Sequence, residues 1–293
     1  MADKNIQSQL SSESGRVGQP TLKKLRDMGD GTHAEIYATA RDFYIDVGFG
    51  LIPGYRRVAA LGNNPAVDAA TLPEDIWPGG GAYPWMTGAT ALQVRSTSAQ
   101  DAPGGTGIAS ISTSFLDATY AEETAVVTTL NGLTAVPITG AHFRINASRP
   151  ASKGSGAATF GVTNVGDIII EDVAGPNTVR AVMKAGSGNL RQSIFTVPLG
   201  HTLQVLNQAW GFADVSGGNK FAQWSIYIQS SNGIFVSPLS VAIGDEPPYE
   251  QPGLPGIVLA EKTDFCYRAT AASAGVHSLF ASWLGILRNN TFT

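Results

Sequence analysis

From Ala89 onward the chain is written in short alternating runs, and this constrains its fold more than any other feature. ATALQVRSTSA (89–99) sets Leu92 and Val94 on one face of an extended segment and Gln93 and Arg95 on the other. IASISTSF, TAVVTTL, LTAVPIT, AHFRINASR and the stretch 167–173 read the same way. So do FAQWSIYIQSS, GIFVSPLSVAI, IVLAEKTDFCYRATA and HSLFASWLGILRN. SWLGILRN resembles a helix start, but its β-branched neighbours favour a last strand. Gly, Asn and Asp punctuate the runs at roughly ten-residue spacing, the signature of an antiparallel sandwich or barrel. Asn131–Gly132 is a hairpin signal, and Pro198–Gly200 joins two further strands. The pattern predicts an all-β protein with an antiparallel jelly-roll-like sandwich over 86–293. The Gly/Ser-rich stretch 152–156 allows two sub-sandwiches split near 150–160.

Composition agrees. Only 14% of residues are charged, against roughly 25% in ordinary soluble domains, and there are 34 glycines. Helical enzymes need more surface Glu, Lys and Arg, whereas a charge-poor surface loses little when it is desolvated in an interface. The net charge is −4 and no Lys/Arg block stands out, so no nucleic-acid partner is expected. Cys266 is the one cysteine; it excludes an internal disulfide framework and reads as a small core residue. The first 20 residues lack the apolar run of a signal peptide, and no run has the roughly 18 to 20 apolar residues of a membrane span. A soluble chain with no membrane partner is expected.

The N-terminal part reads differently. Residues 1–27 form a polar, Gln/Ser-rich arm that is flexible or ordered by a partner. Leu22 and Leu25 lie at the spacing of one helical turn and are the positions such a partner would bury. Residues 28–85 read as an extended connector with little regular structure, rich in Pro, Gly, Asn and Asp. Within it, Ala34–Ala38 is strand-like. The connector ends in DIWPGGGAYPW, where Trp77, Tyr83 and Trp85 surround three glycines. Those rings can cap their own sandwich, dock on a neighbouring subunit or offer a sugar platform. As candidate interface residues we carry forward Trp77, Tyr83, Trp85, Leu22 and Leu25.

Catalytic and metal motifs are sparse. GGGAYPWMTG has no lysine and precedes a strand, so it is not a phosphate loop, and GGTG (104–107) is a turn between strands. His33, His142, His201 and His277 have no histidine within four residues, and no Cys-x-x-Cys exists. No Gly-x-Ser-x-Gly elbow occurs. Glu122–Glu123, Glu171–Asp172 and Asp245–Glu246 are adjacent carboxylates, and neighbours on a strand point to opposite faces, so none is a ready glycosidase dyad. No catalytic residue, metal ligand or cofactor is assigned, and the chain is expected not to be an enzyme.

Eight segments together resemble one family, the virion structural proteins of tailed bacteriophages. They are MGDGTHAEIYATA (28–40), DIWPGGGAYPW (75–85), ALQVRSTSAQDAPGGTGIASI (91–111), LDATYAEETAVVTTLNGLTAV (116–136), FRINAS (143–148), NVGDIII (164–170), FTVPLGHTLQVL (195–206) and EKTDFCYRATA (261–271). The resemblance implies a structural part on the head, neck or tail, located in a virion assembled in the host cytoplasm. Its implied partners are other phage virion proteins and further copies of itself, a trimer being the first expectation. The alternative is a receptor- or glycan-binding fibre module of the same virion, and after it a glycan depolymerase.

Overall fold

The structure, a computed structural model, describes residues 43–212, 220–230, 236–244 and 257–291, with the backbone alone of 23–27, 33–37, 235 and 249–252. The chain divides into two compact units, Met1–Pro53 and Gly54–Thr293. In the first, β1 (Lys23–Asp27) pairs antiparallel with β2 (His33–Tyr37), Leu25 opposite Glu35. The helical turn expected around Leu25 is therefore a strand. Five residues are too few to hold a helix by themselves, whereas a nearby partner strand supplies hydrogen bonds at once. Leu22 lies outside the described residues. A short helix, α1 (Phe43–Gly48), follows.

The second unit opens with β3 (Tyr55–Asp68) and β4 (Glu74–Asp75). Then come β5 (Thr90–Ser96), β6 (Ile108–Leu116), β7 (Val126–Thr129), β8 (Val136–His142), β9 (Arg144–Lys153), β10 (Ile168–Asp172) and β11 (Val179–Met183). The last group is β12 (Ile194–Thr196), β13 (His201–Phe212), β14 (Phe221–Gln229), β15 (Phe235–Gly244), β16 (Tyr249–Pro252), β17 (Val258–Leu259), β18 (Asp264–Ala272) and β19 (Val276–Asn289). The fold is all-β, and the strand pairings are antiparallel.

Two hydrophobic cores divide these strands. The outer sandwich packs the sheet β16-β13-β19-β3, with β17 also on β13, against β12-β18-β14-β15, with β4 also on β18. Its core holds Trp210, Trp224 and Trp283 with Phe195, Phe265 and Tyr267. The Phe265 ring meets Trp283 edge-on at 5.3 Å, a favoured aromatic geometry. The inner sandwich packs β11-β10-β5-β8 against β7-β6-β9 around Leu92, Val94, Ile111, Phe115, Ile168 and Ile170. All its strands fall between β4 and β12, so it is an insertion within the outer sandwich. The expected split near 150–160 does not exist: β9 and β10 both belong to the inner sandwich, and the chain returns to the outer one only at β12.

The connector expected over 28–85 also gives way. β3 runs for 14 residues beside β19. Gly62, Asn63, Asn64 and Pro65 look like a loop, but β3 is an edge strand. The register shifts between the pairs Val67–His277 and Asn64–Leu279, which leaves Pro65 and Ala66 in a bulge. A proline that cannot donate to the ladder is tolerated at such a place.

Asn131–Gly132 does turn the chain, with φ of +59° at Gly132 and Thr134 N donating to Asn131 O at 3.1 Å. It does not close a hairpin, because β7 joins β6 in one sheet and β8 joins β5 in the other. Gly132→Val puts a β-branched residue at positive φ, with its Cβ about 3.0 Å from Ala99 Cα. The expected loss is about 1 to 2 kcal/mol, read by urea unfolding; an unchanged midpoint would contradict this turn.

Candidate functional site: the junction of the two sandwiches

The three glycines and three rings lie where the chain leaves the outer sandwich for the inner one. β4 pairs with Arg268 and Ala269 of β18, and Ile76 N donates to Tyr267 O. The chain then folds back on itself. Asp75 N donates to Gly81 O at 3.0 Å, and the Trp77 indole Nε1 donates to the same carbonyl at 3.1 Å. Gly80 and Gly81 take φ of +73° and +65°, which L side chains rarely adopt. Gly79 lies flat on the Trp77 indole: a Cβ there would sit 2.2 Å from the ring. Each glycine thus has its own physical reason.

The rings form an edge-to-face ladder. Trp77 and Tyr83 stand 5.2 Å apart at 88°, Tyr83 and Trp85 4.9 Å apart at 79°. Ile194 of β12 and Cys266 of β18 close the outer side, and Val179 of β11 reaches in from the inner sandwich. Trp77 is 3% and Tyr83 5% exposed, and Trp85 is half-buried. Burial pushes the Tyr83 hydroxyl far up from its usual range. The subunit interface expected of Trp77 and Tyr83 is therefore filled by their own chain. The ladder seals one sandwich to the other, and neither ring keeps a free face for a neighbour.

Ion pairs lock the same junction. Arg144 of β9 meets Asp264 of β18 through two parallel hydrogen bonds, Nε to Oδ1 at 2.9 Å and Nη2 to Oδ2 at 2.7 Å. Its Nη1 donates to Met86 O and Phe143 O. Thr196 Oγ1 donates to Asp264, and the guanidinium lies 5.3 Å from the centre of the Trp85 ring. Arg268 grips Asp75 in the same two-pronged way, at 2.6 and 2.9 Å, and Tyr83 N also donates to Asp75. Arg180 holds Asp172 and the carbonyl of Pro84. Glu74 accepts from Thr71 Oγ1, Asn64 Nδ2 and the amides of Asp68 and Gly81. Burial alone would raise its pKa, but these donors, Thr71 foremost, outweigh burial and hold it below the usual glutamate range.

The sequence singled out the rings and missed these charges. The available signal was a charged residue inside an apolar strand of a charge-poor chain, as with Arg144 in FRINAS and Asp264 in TDFCY. Cys266 is fully buried, its Sγ 3.4 Å from Asp75 Oδ1. Burial, and after it the Asp75 charge, pushes its thiol well up. A thiol reagent is expected to leave native protein unlabelled and to label one site after urea unfolding; rapid native labelling would show that the junction opens.

The adjacent carboxylates are engaged singly. Glu122 pairs with Arg56, and Glu123 with His142, which stacks on Phe115 at 3.8 Å. Glu171 accepts from Gln93 and Arg95, while Asp172 takes Arg180. Asp245–Glu246 lies outside the described residues. Two grooves flank the junction. One, of about 320 Å³, lies between β3, β6 and β9 and is lined by Ser112, Ser114, Asn146 and Arg149. The other, of about 210 Å³, is lined by Asn63, Pro78, Lys184 and Arg191. Carboxylates line neither. Among the described residues no three His, Cys, Asp or Glu side chains gather as metal ligands, and no helix is long and apolar enough to cross a membrane.

The class defined by these features is an antiparallel β protein of nested sandwiches bolted by aromatic and ionic contacts. No family model matches the chain, and no curated protein matches it. Among solved structures it is similar to one titled "Structure of infectious bursal disease virus Gx strain", at 12% identity over 82% of this chain and 73% of that one, with a TM-score of 0.25. A likeness this slight assigns no function.

Proposed function

We propose that the chain is a structural subunit of a virion, and of a tailed-phage virion in particular, attached to the head, neck or tail through contacts between subunits. The observation that carries this reading is where the charge goes. The carboxylates and guanidinium groups of the junction bind one another or backbone amides, as in Arg144–Asp264, Arg268–Asp75 and Arg180–Asp172. Arg144–Asp264 joins the two sandwiches, Arg268–Asp75 fastens β4 to β18 within the outer one, and Arg180–Asp172 fastens β11 to β10 within the inner one while Arg180 also holds the Pro84 carbonyl of the connecting segment. What they leave to the outside is a surface poor in charge, suited to burial against other subunits. The segment resemblance supports the phage assignment. No reaction and no cofactor enter this role; the partners are further copies of the chain and other virion proteins.

The arm supplies the test. Its Gln/Ser-rich sequence cannot bury much area. Deleting residues 2–27 is expected to leave the melting temperature of the β body unchanged and to lower incorporation into assembling particles. Full-length chain that never enters particles would count against the role itself.

A further inference from the structure

Among the described residues, the free edges of the two sandwiches are guarded in different ways, with one exception. β3 carries Arg56 and Arg57, and its Asn63 amide donates to Arg191 O. β4, β12, β16 and β17 are two to four residues long, and β7 has four. β8 carries Pro137 and a Gly140 at φ +103°. β9 carries Arg149 and Lys153, and β11 carries Arg180. Short length, charge, proline and distortion are the devices that keep a sheet edge from pairing with another chain.

β15 lacks them over most of its length. It is ten residues long, FVSPLSVAIG, with no charged side chain. Among the described strands only β14 pairs with it. Pro238 falls in the bulge between the pairs Ile228–Val236 and Ile226–Leu239, outside the ladder. Beyond it Leu239–Gly244 runs in unbroken register against Phe221–Ile226. Leu239 and Ile243 pack on the core, and Ala242 is exposed on the other face. Phe221 and Val236, at opposite ends of the β14–β15 pair, are 47% and 55% exposed.

We infer that the outer edge of β15 is a contact surface and that its occupant is β15 of a second copy of this chain. The charge pattern selects this partner. An edge with no charge meets its own copy about a two-fold axis with no like charges opposed in any register. Antiparallel pairing of Leu239–Gly244 with its mate supplies backbone partners to both edges and extends the sheet across the pair. An edge paired with itself is an isologous contact, so the association it builds is two-fold, in place of the trimer first expected. This deepens the self-association proposed above and rests on that part of it alone.

The test is a charge swap at Ala242, which faces Gln223 on β14 and projects to solvent, followed by sedimentation equilibrium of the full chain. Wild type is expected to form dimers. Ala242→Lys and Ala242→Glu are each expected to weaken dimerisation about tenfold or more, with melting temperatures unchanged at concentrations where wild type is monomeric. An equimolar mixture of the two is expected to recover it. Leu133→Lys, on an exposed turn away from the edge, should dimerise as wild type does. A monomeric wild type overturns both the edge contact and self-association in solution. An associating wild type whose Ala242 variants behave identically, or whose mixture regains nothing, overturns the edge contact alone. Incorporation into particles, measured separately, bears on the virion role and not on this contact.

Discussion

Arg144→Ala is expected to cost about 3 to 5 kcal/mol in urea unfolding, because it strands a buried carboxylate. Arg144 and Asp264 are 6% and 3% exposed, and their two hydrogen bonds join β9 of the inner sandwich to β18 of the outer one. The substitution also takes the donor from Met86 O and Phe143 O and a cation from beside Trp85. What remains is Asp264 with Thr196 Oγ1 as its side-chain donor, in a setting where water cannot replace the guanidinium. The pair itself is not expected to be worth that much: replacing both partners by apolar residues of similar volume is often neutral. Arg144→Met with Asp264→Leu should therefore be more stable than Arg144→Ala alone, and the double-mutant cycle should show strong coupling. A loss below about 1 kcal/mol for Arg144→Ala, the range of surface pairs, would mean that the junction is wet and the sandwiches move independently.

Asp101→Asn is expected to be nearly as damaging although it changes one atom. Asp101 is fully buried in the turn between β5 and β6. Oδ1 accepts from the amides of Ile108 and Val165 at 3.1 and 2.9 Å. Oδ2 accepts from the Gly166 amide and the Ser96 hydroxyl at 2.8 and 2.7 Å. This one carboxylate fastens the β5–β6 turn to the strand entering β10. Whichever way an asparagine is placed, its NH₂ group faces at least one backbone N–H, and a donor facing a donor leaves both unmet. At about 1 to 3 kcal/mol for each buried unsatisfied group, a loss of about 3 kcal/mol is expected, with local loosening of the 98–107 and 164–167 turns visible in hydrogen exchange. Stability within about half a kcal/mol of wild type would show that the four bonds are not made together.

Local chemistry made the strands legible. Alternation located β5 and β19 because one face of each is buried, and Gly132 announced a positive φ. What alternation does not encode is which sheet a strand joins. The Asn131–Gly132 and Pro198–Gly200 turns both read as hairpins, yet each passes the chain from one sheet to another. The inserted sandwich was hidden for the same reason: the stretch from β9 to β10 reads like any loop, and the return to the outer sheet depends on pairings over 190 residues apart, such as Asp75 with Arg268. β3 was missed because Gly62, Asn63 and Asn64 read as loop residues although they pair with β19, and Pro65 falls in an edge bulge. The rings of 77–85 were visible as a unit, but a ring's composition cannot say whether its neighbour belongs to the same chain. The charges that fasten the junction were overlooked because Arg144, Asp264 and Asp75 are far apart in sequence and match no motif.

The most direct test of the structural role is the copy number of this chain in purified virions, measured by quantitative mass spectrometry against the other virion proteins. The account predicts a fixed symmetric copy number of several per particle, retained through salt and density-gradient washing. A chain abundant in infected cells but absent from washed virions, or present only in traces that vary between preparations, would contradict it.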